Sequence, residues 1–185
     1  AEFIQFAKSN AGKASMGSYG NGTSAHLHAE LFKRQTELQD VTHVPYQGGT
    51  PLLTALLAGQ VDSGWVDVTG SRSQHKTGKL RFIAKTGVAR SPLLPDVPTF
   101  AELGYKDWEP SGFMGLFAPA GTPVDVVNKI SADVQKVLAR PDIQQKLTEA
   151  GVRPVANSPS AFSAQLKHDE KIWGGIARGA NIRID

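Results

Sequence analysis

Apolar residues recur along this chain at two alternating spacings. Phe3, Ile4, Phe6 and Ala7 fall at helical spacing with no cap residue ahead of them, so the chain opens inside a helix. "GKASMG" predicts a short strand, and Gly17 to Thr23 a glycine-rich loop. Thr23 or Ser24 is placed to cap a helix running to about Gln35, with Leu27, Leu31 and Phe32 facing inward. "VTHVPY" predicts a second strand, ended by Pro45 and the "QGG" turn. In "TPLLTALLAG" Thr50 is the expected N-cap, Pro51 the first helical position and Gly59 the residue past the end. "QVDSGWVDV" and "LRFIAKTG" predict two further strands, with a short helix near Ser71 to Lys76 between them.

Strand and helix thus alternate through the first half, which is the pattern of an α/β layer with a mostly parallel sheet. From Val88 to Glu109 the pattern breaks down into a connector punctuated by Pro92, Pro95 and Pro98, with a short helix expected at Thr99 to Leu103. "GFMGLFAPAG" predicts another strand, and three helices close the chain at Thr122–Ala139, Pro141–Ala150 and Ser158–Arg178. Val126, Val127, Ile130, Val134, Val137 and Leu138 give the first of these an apolar face.

Composition narrows the function classes. A chain of 185 residues is long enough for one well-buried core. No run approaches the roughly 18 apolar residues of a membrane span. The net charge of +3 is spread without a block of like charges, which argues against nucleic acid as a partner. The absence of cysteine excludes thiol catalysis, disulfides and Cys-ligated zinc, and leaves the redox compartment open.

Candidate chemistry centres on the glycine loop. A strand, then "GSYGNGTS", then a helix lets main-chain N–H groups approach an oxyanion, with Ser18, Thr23 and Ser24 adding hydroxyls. Spacing alone leaves a second reading open, a strand-to-helix turn in which glycines supply positive φ and Thr23 only caps. No Gly-Lys-Ser/Thr follows, and the order Gly17, Gly20, Gly22 is not the dinucleotide fingerprint, which disfavours phosphate chemistry. His26 and His28 point about 200° apart on a helix and are poorly placed to share a metal; His26 with Glu30 lacks a third ligand, which favours a structural or cap-proximal His26. No serine elbow or paired-histidine zinc helix occurs, so no catalytic residue is assigned. Asp62 and Asp67 flank Trp65 at a predicted strand end, where α/β sheets place ligands.

Five blocks in order, "GSYGNGTSAHLHAELF", "HVPYQGGTPLLTALLAGQVD", "GKLRFIAKTG", "RSPLLPDVPTFAELG" and "GLFAPAGTPVDVVNKI", resemble the Bug family, the substrate-binding proteins of tripartite tricarboxylate transporters. The resemblance implies a periplasmic binding protein type II-like (Venus flytrap) α/β fold, with one complete lobe plus the C-terminal part of the other. It assigns residues 1–86 to the second ligand-binding lobe, 87–112 to an interlobe connector, and 113–185 to a return strand and helices that pack on the first lobe. It also implies that an N-terminal portion is missing.

Matched position by position, Ser18, Tyr19, Gly20, Asn21, Gly22, Thr23 and Ser24 correspond to the family's carboxylate clamp. Tyr46, Gln47 and Gly48 correspond to its "PYKGG" turn, with glutamine in place of lysine, and Asp67 to a cleft-edge Asp or Asn. The implied function is periplasmic capture of a small organic carboxylate for delivery to membrane permease subunits, with no cofactor, metal or nucleic acid involved. On this reading the 185 residues alone bind ligand feebly, and Phe162, Leu166, Trp173 and Ile176 expose faces that favour a dimer. Two alternatives are the effector-binding domain of a transcription regulator and an α/β enzyme acting on a carboxylate.

Overall fold

The computed structural model describes residues 2–108 and 112–183. It comprises two compact units, Ala1–Ser111 with Trp173–Asp185, and Gly112–Ile172.

The first unit is built on a three-stranded parallel sheet in the order β2-β1-β3. Helix α1 (Glu2–Ser9) leads into β1 (Ser15–Ser18), followed by α2 (Ser24–Thr36), β2 (Thr42–Pro45), α3 (Gly49–Leu57), β3 (Ser63–Gly64) and α4 (Val68–Lys76). Parallel neighbours require a crossover, and each crossover here contains a helix, as the alternating pattern predicted. The register pairs Met16 with His43 and with Ser63, and Gly17 with Val44 and with Gly64.

That last pairing explains two glycines. Gly17 is a strand residue, not the first residue of the loop. A Cβ on it would collide with the Leu52 side chain, and a Cβ on Gly64 would lie 3.1 Å from Leu56 and 3.2 Å from Leu52. Two adjacent strands thus leave a bare patch into which α3 lowers Leu52, which is fully buried with Ala55 and Val61 against Tyr19, Val44, Tyr46 and Leu56. On the other side, Ala25, Ala29, Leu31 and Phe32 of α2 are buried.

Helix boundaries follow local chemistry. Helix α3 starts at Gly49 with Gly48 as N-cap, two residues earlier than Thr50 and Pro51 imply. Gly48 reaches φ 112°, which a side chain would resist. At the other end Gly59, at φ 67°, sits just past the helix, with Gln60 N–H donating to Ala55 O at 2.9 Å, a Schellman closure. The segment expected as a helix at Thr99–Leu103 is a single turn, closed reciprocally by Thr99 N–H on Glu102 Oε2 (2.7 Å) and Glu102 N–H on Thr99 Oγ1 (3.1 Å). Gly104 at φ 86° ends it.

Two predicted strands are absent. Residues 80–87 carry one isolated bridge, Lys85 to Thr99. Arg81 to Ala84 are separated from β3 by a cavity of about 400 Å³ lined by Phe3, Met16, Phe32, Trp65, Phe82 and Tyr105. Strand propensity without a neighbouring edge yields extended chain and no ladder. The same holds for residues 113–119 in the second unit, where Met114, Leu116 and Phe117 are exposed.

The connector is not a free linker. Leu94, Val97, Phe100 and Trp108 are buried, and Trp108 Nε1–H donates to Gln35 Oε1 at 2.7 Å while Gln35 Nε2–H donates to Lys106 O at 2.9 Å, fastening it to α2. The second unit contains α5 (Val124–Leu138), α6 (Pro141–Glu149) and most of α7 (Pro159–Gly179), close to their predicted spans. Phe162 meets Phe113 and Phe117 at centroid distances of 5.2 and 5.6 Å. Trp173 and Ile176 are not exposed as expected: Ile176 is buried, and Trp173 packs edge-on to His28 at 5.1 Å.

Leu52→Ala removes the side chain that fills the glycine patch and is expected to destabilise the protein by about 2–5 kcal/mol. Urea denaturation measures this as a lowered midpoint at unchanged slope.

Candidate functional site

In a parallel sheet all strands point the same way, so every strand-to-helix loop leaves from one edge. Here the carboxyl edge gathers three of them, and the strand ladder continues into them: Tyr46 N–H donates to Ser18 O at 2.9 Å and Trp65 N–H to Gly17 O at 3.0 Å. The loops Tyr19–Thr23, Tyr46–Gly48 and Trp65–Asp67 therefore lie side by side, each ending at a helix N-terminus. None of the N-cap residues Thr23, Gly48 and Asp67 caps its helix with a side chain. Each helix start carries roughly half a positive charge and unpaired N–H groups, so the edge is set up for an anion. Among the described residues, the amides of Ser24, Ala25 and His26 have no acceptor.

The loop hydroxyls are used differently from what the sequence implies. Thr23 Oγ1 donates to Gly20 O at 2.7 Å and caps nothing. Ser18 is fully buried; its Oγ donates to Gly20 O at 3.1 Å, accepts from Gly20 N–H at 3.3 Å and lies 2.7 Å from His43 Nε2. These groups shape the loop. Tyr19 Oη and Ser24 Oγ share one hydrogen bond of 2.6 Å, which leaves the pair a second hydroxyl proton to donate outward. Asn21 Nδ2–H donates to Arg183 O at 3.0 Å, tying the loop tip to the C-terminal residues. Gly20 and Gly22, at φ 152° and 70°, allow the turn. Gln47 is exposed, and Tyr46 packs on the Leu52 core.

The two aspartates separate. Asp62 lies at the amino edge of the sheet, where its Oδ2 accepts from both Ser15 N–H and Ser15 Oγ–H at 2.8 Å, so it pins β1 to β3 at the opposite end from the glycine-rich loop. Asp67 stands at the carboxyl edge, exposed, with its main-chain carbonyl accepting from Ser71 Oγ at 2.6 Å.

Three histidines complete the region. His26 Nδ1 accepts from Gly22 N–H at 3.1 Å, and its ring stacks on His43 at 3.8 Å and 9°. Burial lowers the pKa of His26 and holds His43 at about 4, with the neighbouring His26 adding to the latter. His28 packs on Trp65 at 5.3 Å and on Trp108 at 5.6 Å with Trp173 edge-on to it, and burial pushes it to about 4. The sequence favours a structural or cap-proximal His26. It gave no sign of His43 beside it, because the two sit on separate elements and no local spacing links them. Among the described residues no cluster of metal-ligating side chains occurs.

Such an arrangement, a parallel α/β sheet presenting glycine-rich loops and helix starts at its carboxyl edge, is the architecture of a periplasmic binding protein lobe. Over residues 1–182 the chain matches the tripartite tricarboxylate transporter family receptor, and it belongs to that family. It is 34% identical over 173 residues to the UPF0065 protein in the tcbD-tcbE intergenic region of Pseudomonas sp. (strain P51), covering 93% of this chain and 51% of that protein. Among solved structures it is similar to R. palustris Rpa4515 with adipate (30% identity, TM-score 0.80, 98% of this chain and 60% of the other). It is also similar to the periplasmic binding protein BugD (30%, 0.72, 98% and 61%) and to MatC from Rhodopseudomonas palustris with bound malate (28%, 0.73, 95% and 60%). The chain spans about half the length of the curated relative and about three-fifths of the solved chains.

The lowered histidine pKa values set the sign of the pH dependence. Unfolding returns each ring to its ordinary value near 6.5, so the unfolded chain binds more protons below that pH. The stability these rings contribute is present above about pH 6.5 and is lost as pH falls toward about 4. Denaturation midpoints are expected to drop across that window, and His28→Phe, which keeps an aromatic ring among the tryptophans, is expected to flatten the drop.

Proposed function

We propose that this chain is the ligand-loop part of an extracytoplasmic solute-binding protein that captures a small organic carboxylate for a tripartite tricarboxylate-type transporter. The observation that carries this is the convergence of three helix N-termini without side-chain caps on one sheet edge. A carboxylate leaving water must regain its hydrogen bonds, and charge-assisted bonds to preset main-chain donors are roughly twice as strong as neutral ones. Donors held on a strand end and a helix start lose little entropy on binding.

The seat proposed is the amide of Ser24 with the Tyr19–Ser24 hydroxyl pair, flanked by Gly22, Gln47 and Gly48. Adipate and malate, the ligands of two structural relatives, define the class of small dicarboxylates and hydroxy acids. Gln47 supplies an amide donor without charge. Asp67, a carboxylate at the same edge, repels an anion placed against it but accepts from a ligand hydroxyl, which favours a hydroxy acid. No helix among the described residues is long and apolar enough to cross a membrane. Periplasmic residence and permease partnership rest on the family relationship. An enzyme is the weaker reading: Ser18, whose hydroxyl meets His43 at this edge, is fully buried and bonded within its own loop.

Nuclear magnetic resonance titration with malate and adipate at constant ionic strength tests the reading. Saturable shifts are expected at the amides of Tyr19 to His26 and of Gln47 to Thr50, with millimolar or weaker affinity, because in these relatives the matched part is only about three-fifths of the chain. Absence of saturable shifts at those amides would count against carboxylate binding. Micromolar affinity would count against a need for further chain.

A further inference from the structure

The stacked imidazoles beside the ligand loop have no role in the function just described. Their contacts are directional. His26, the third residue of α2, reaches back so that Nδ1 accepts the Gly22 N–H, in the manner of a capping-box side chain but one residue further upstream. His43, on β2, places Nε2 2.7 Å from the Ser18 hydroxyl. Ser18 ends β1 immediately before the loop and Gly22 precedes its N-cap, so one ring holds each end, and the rings lie flat on each other at 3.8 Å.

We propose that His26 and His43 are positioning residues that clamp the two ends of the Tyr19–Thr23 loop, and that the loop keeps its ligand-ready shape only while the His26 ring is neutral. The inference rests on the carboxylate reading for its functional meaning, but the clamp itself is observable without ligand.

The chemistry fixes the direction of the switch. An imidazole that accepts at Nδ1 carries its proton on Nε2. A second proton on His26 would occupy Nδ1, set two donors against each other and leave the Gly22 N–H without its acceptor. A charge on either ring also opposes a charge on the other across the stack. The charged groups facing the pair are Glu30 and Lys33, both on α2. Glu30 Oε1 is 4.0 Å from His26 Nε2 and favours a proton there, but it is also 2.9 Å from Lys33 Nζ, which opposes one. From β2 the facing titratable group is His43 itself, and from β1 the facing polar group is the Ser18 hydroxyl. Burial outweighs the pull of Glu30, so the clamp is closed at neutral pH and opens on acidification below the ordinary histidine range.

The test begins with the unmodified chain. Long-range nitrogen–proton spectra near neutral pH are expected to show His26 protonated on Nε2 only, and the Gly22 amide proton to move upfield with the titration of His26. A proton on His26 Nδ1 at neutral pH, or a Gly22 amide indifferent to that titration, overturns the proposal. Two variants separate clamp from mere packing. His26→Asn puts a carbonyl oxygen near the Nδ1 position and cannot titrate, so the Gly22 amide should stay in place and lose its pH dependence. His26→Phe keeps a ring on His43 but offers no acceptor, so the Gly22 amide should be displaced at every pH and malate affinity should fall about tenfold. Equal behaviour of the two variants overturns the proposal. If His26→Phe fails to fold, the wild-type titration and His26→Asn still decide it. Should no carboxylate shift any amide while Gly22 follows His26, the binding reading fails and the clamp stands.

Discussion

Main-chain hydrogen bonding at the carboxyl edge of a parallel sheet is the constraint on which this structure depends. Strands that run the same way must return through helices, and each return begins with amides that no turn of helix can satisfy. Proteins commonly close such ends with Ser, Thr, Asp or Asn side chains. Here Thr23 and Asp67 hold N-cap positions and decline that role, Thr23 by turning its hydroxyl to Gly20 O. The amides left over are a resource concentrated at one edge.

The loop that frames them is kept in shape by its own side chains. Ser18 and Thr23 both address Gly20 O, and His26 takes the Gly22 N–H. A loop ordered by internal bonds has little left to freeze on any binding event, which is the physical meaning of preorganisation. The hydroxyls that the sequence offers as ligand donors are therefore better described as the frame, with the Tyr19–Ser24 pair retaining a proton to give. Sequence could locate this loop because strand, glycines and helix start are contiguous. It could not divide donors between frame and ligand, since that division depends on which way Thr23 and Ser18 turn.

The same distinction between local and distant information runs through the fold. Helices with their own periodicity, such as Ser24–Thr36 and Val124–Leu138, were legible within a residue or two. The parallel sheet was legible from alternation alone. Residues 80–87 and 113–119 have the composition of strands but lack an edge to pair with, and composition cannot report on neighbours. Gly17 looked like part of a loop because its true reason, room for the Leu52 side chain, lies 35 positions further along the chain. His43 and Asp62 were opaque for the same cause: their partners Ser18, His26 and Ser15 come from other elements.

The packing around His28 has a spectroscopic corollary. All three tryptophans of the chain, Trp65, Trp108 and Trp173, crowd about this one imidazole, and all belong to the first compact unit. Indole emission is consequently blind to α5 and α6, whereas far-ultraviolet dichroism registers them. Fluorescence and dichroism followed together through a melt would resolve whether the two units come apart as one cooperative body or in succession.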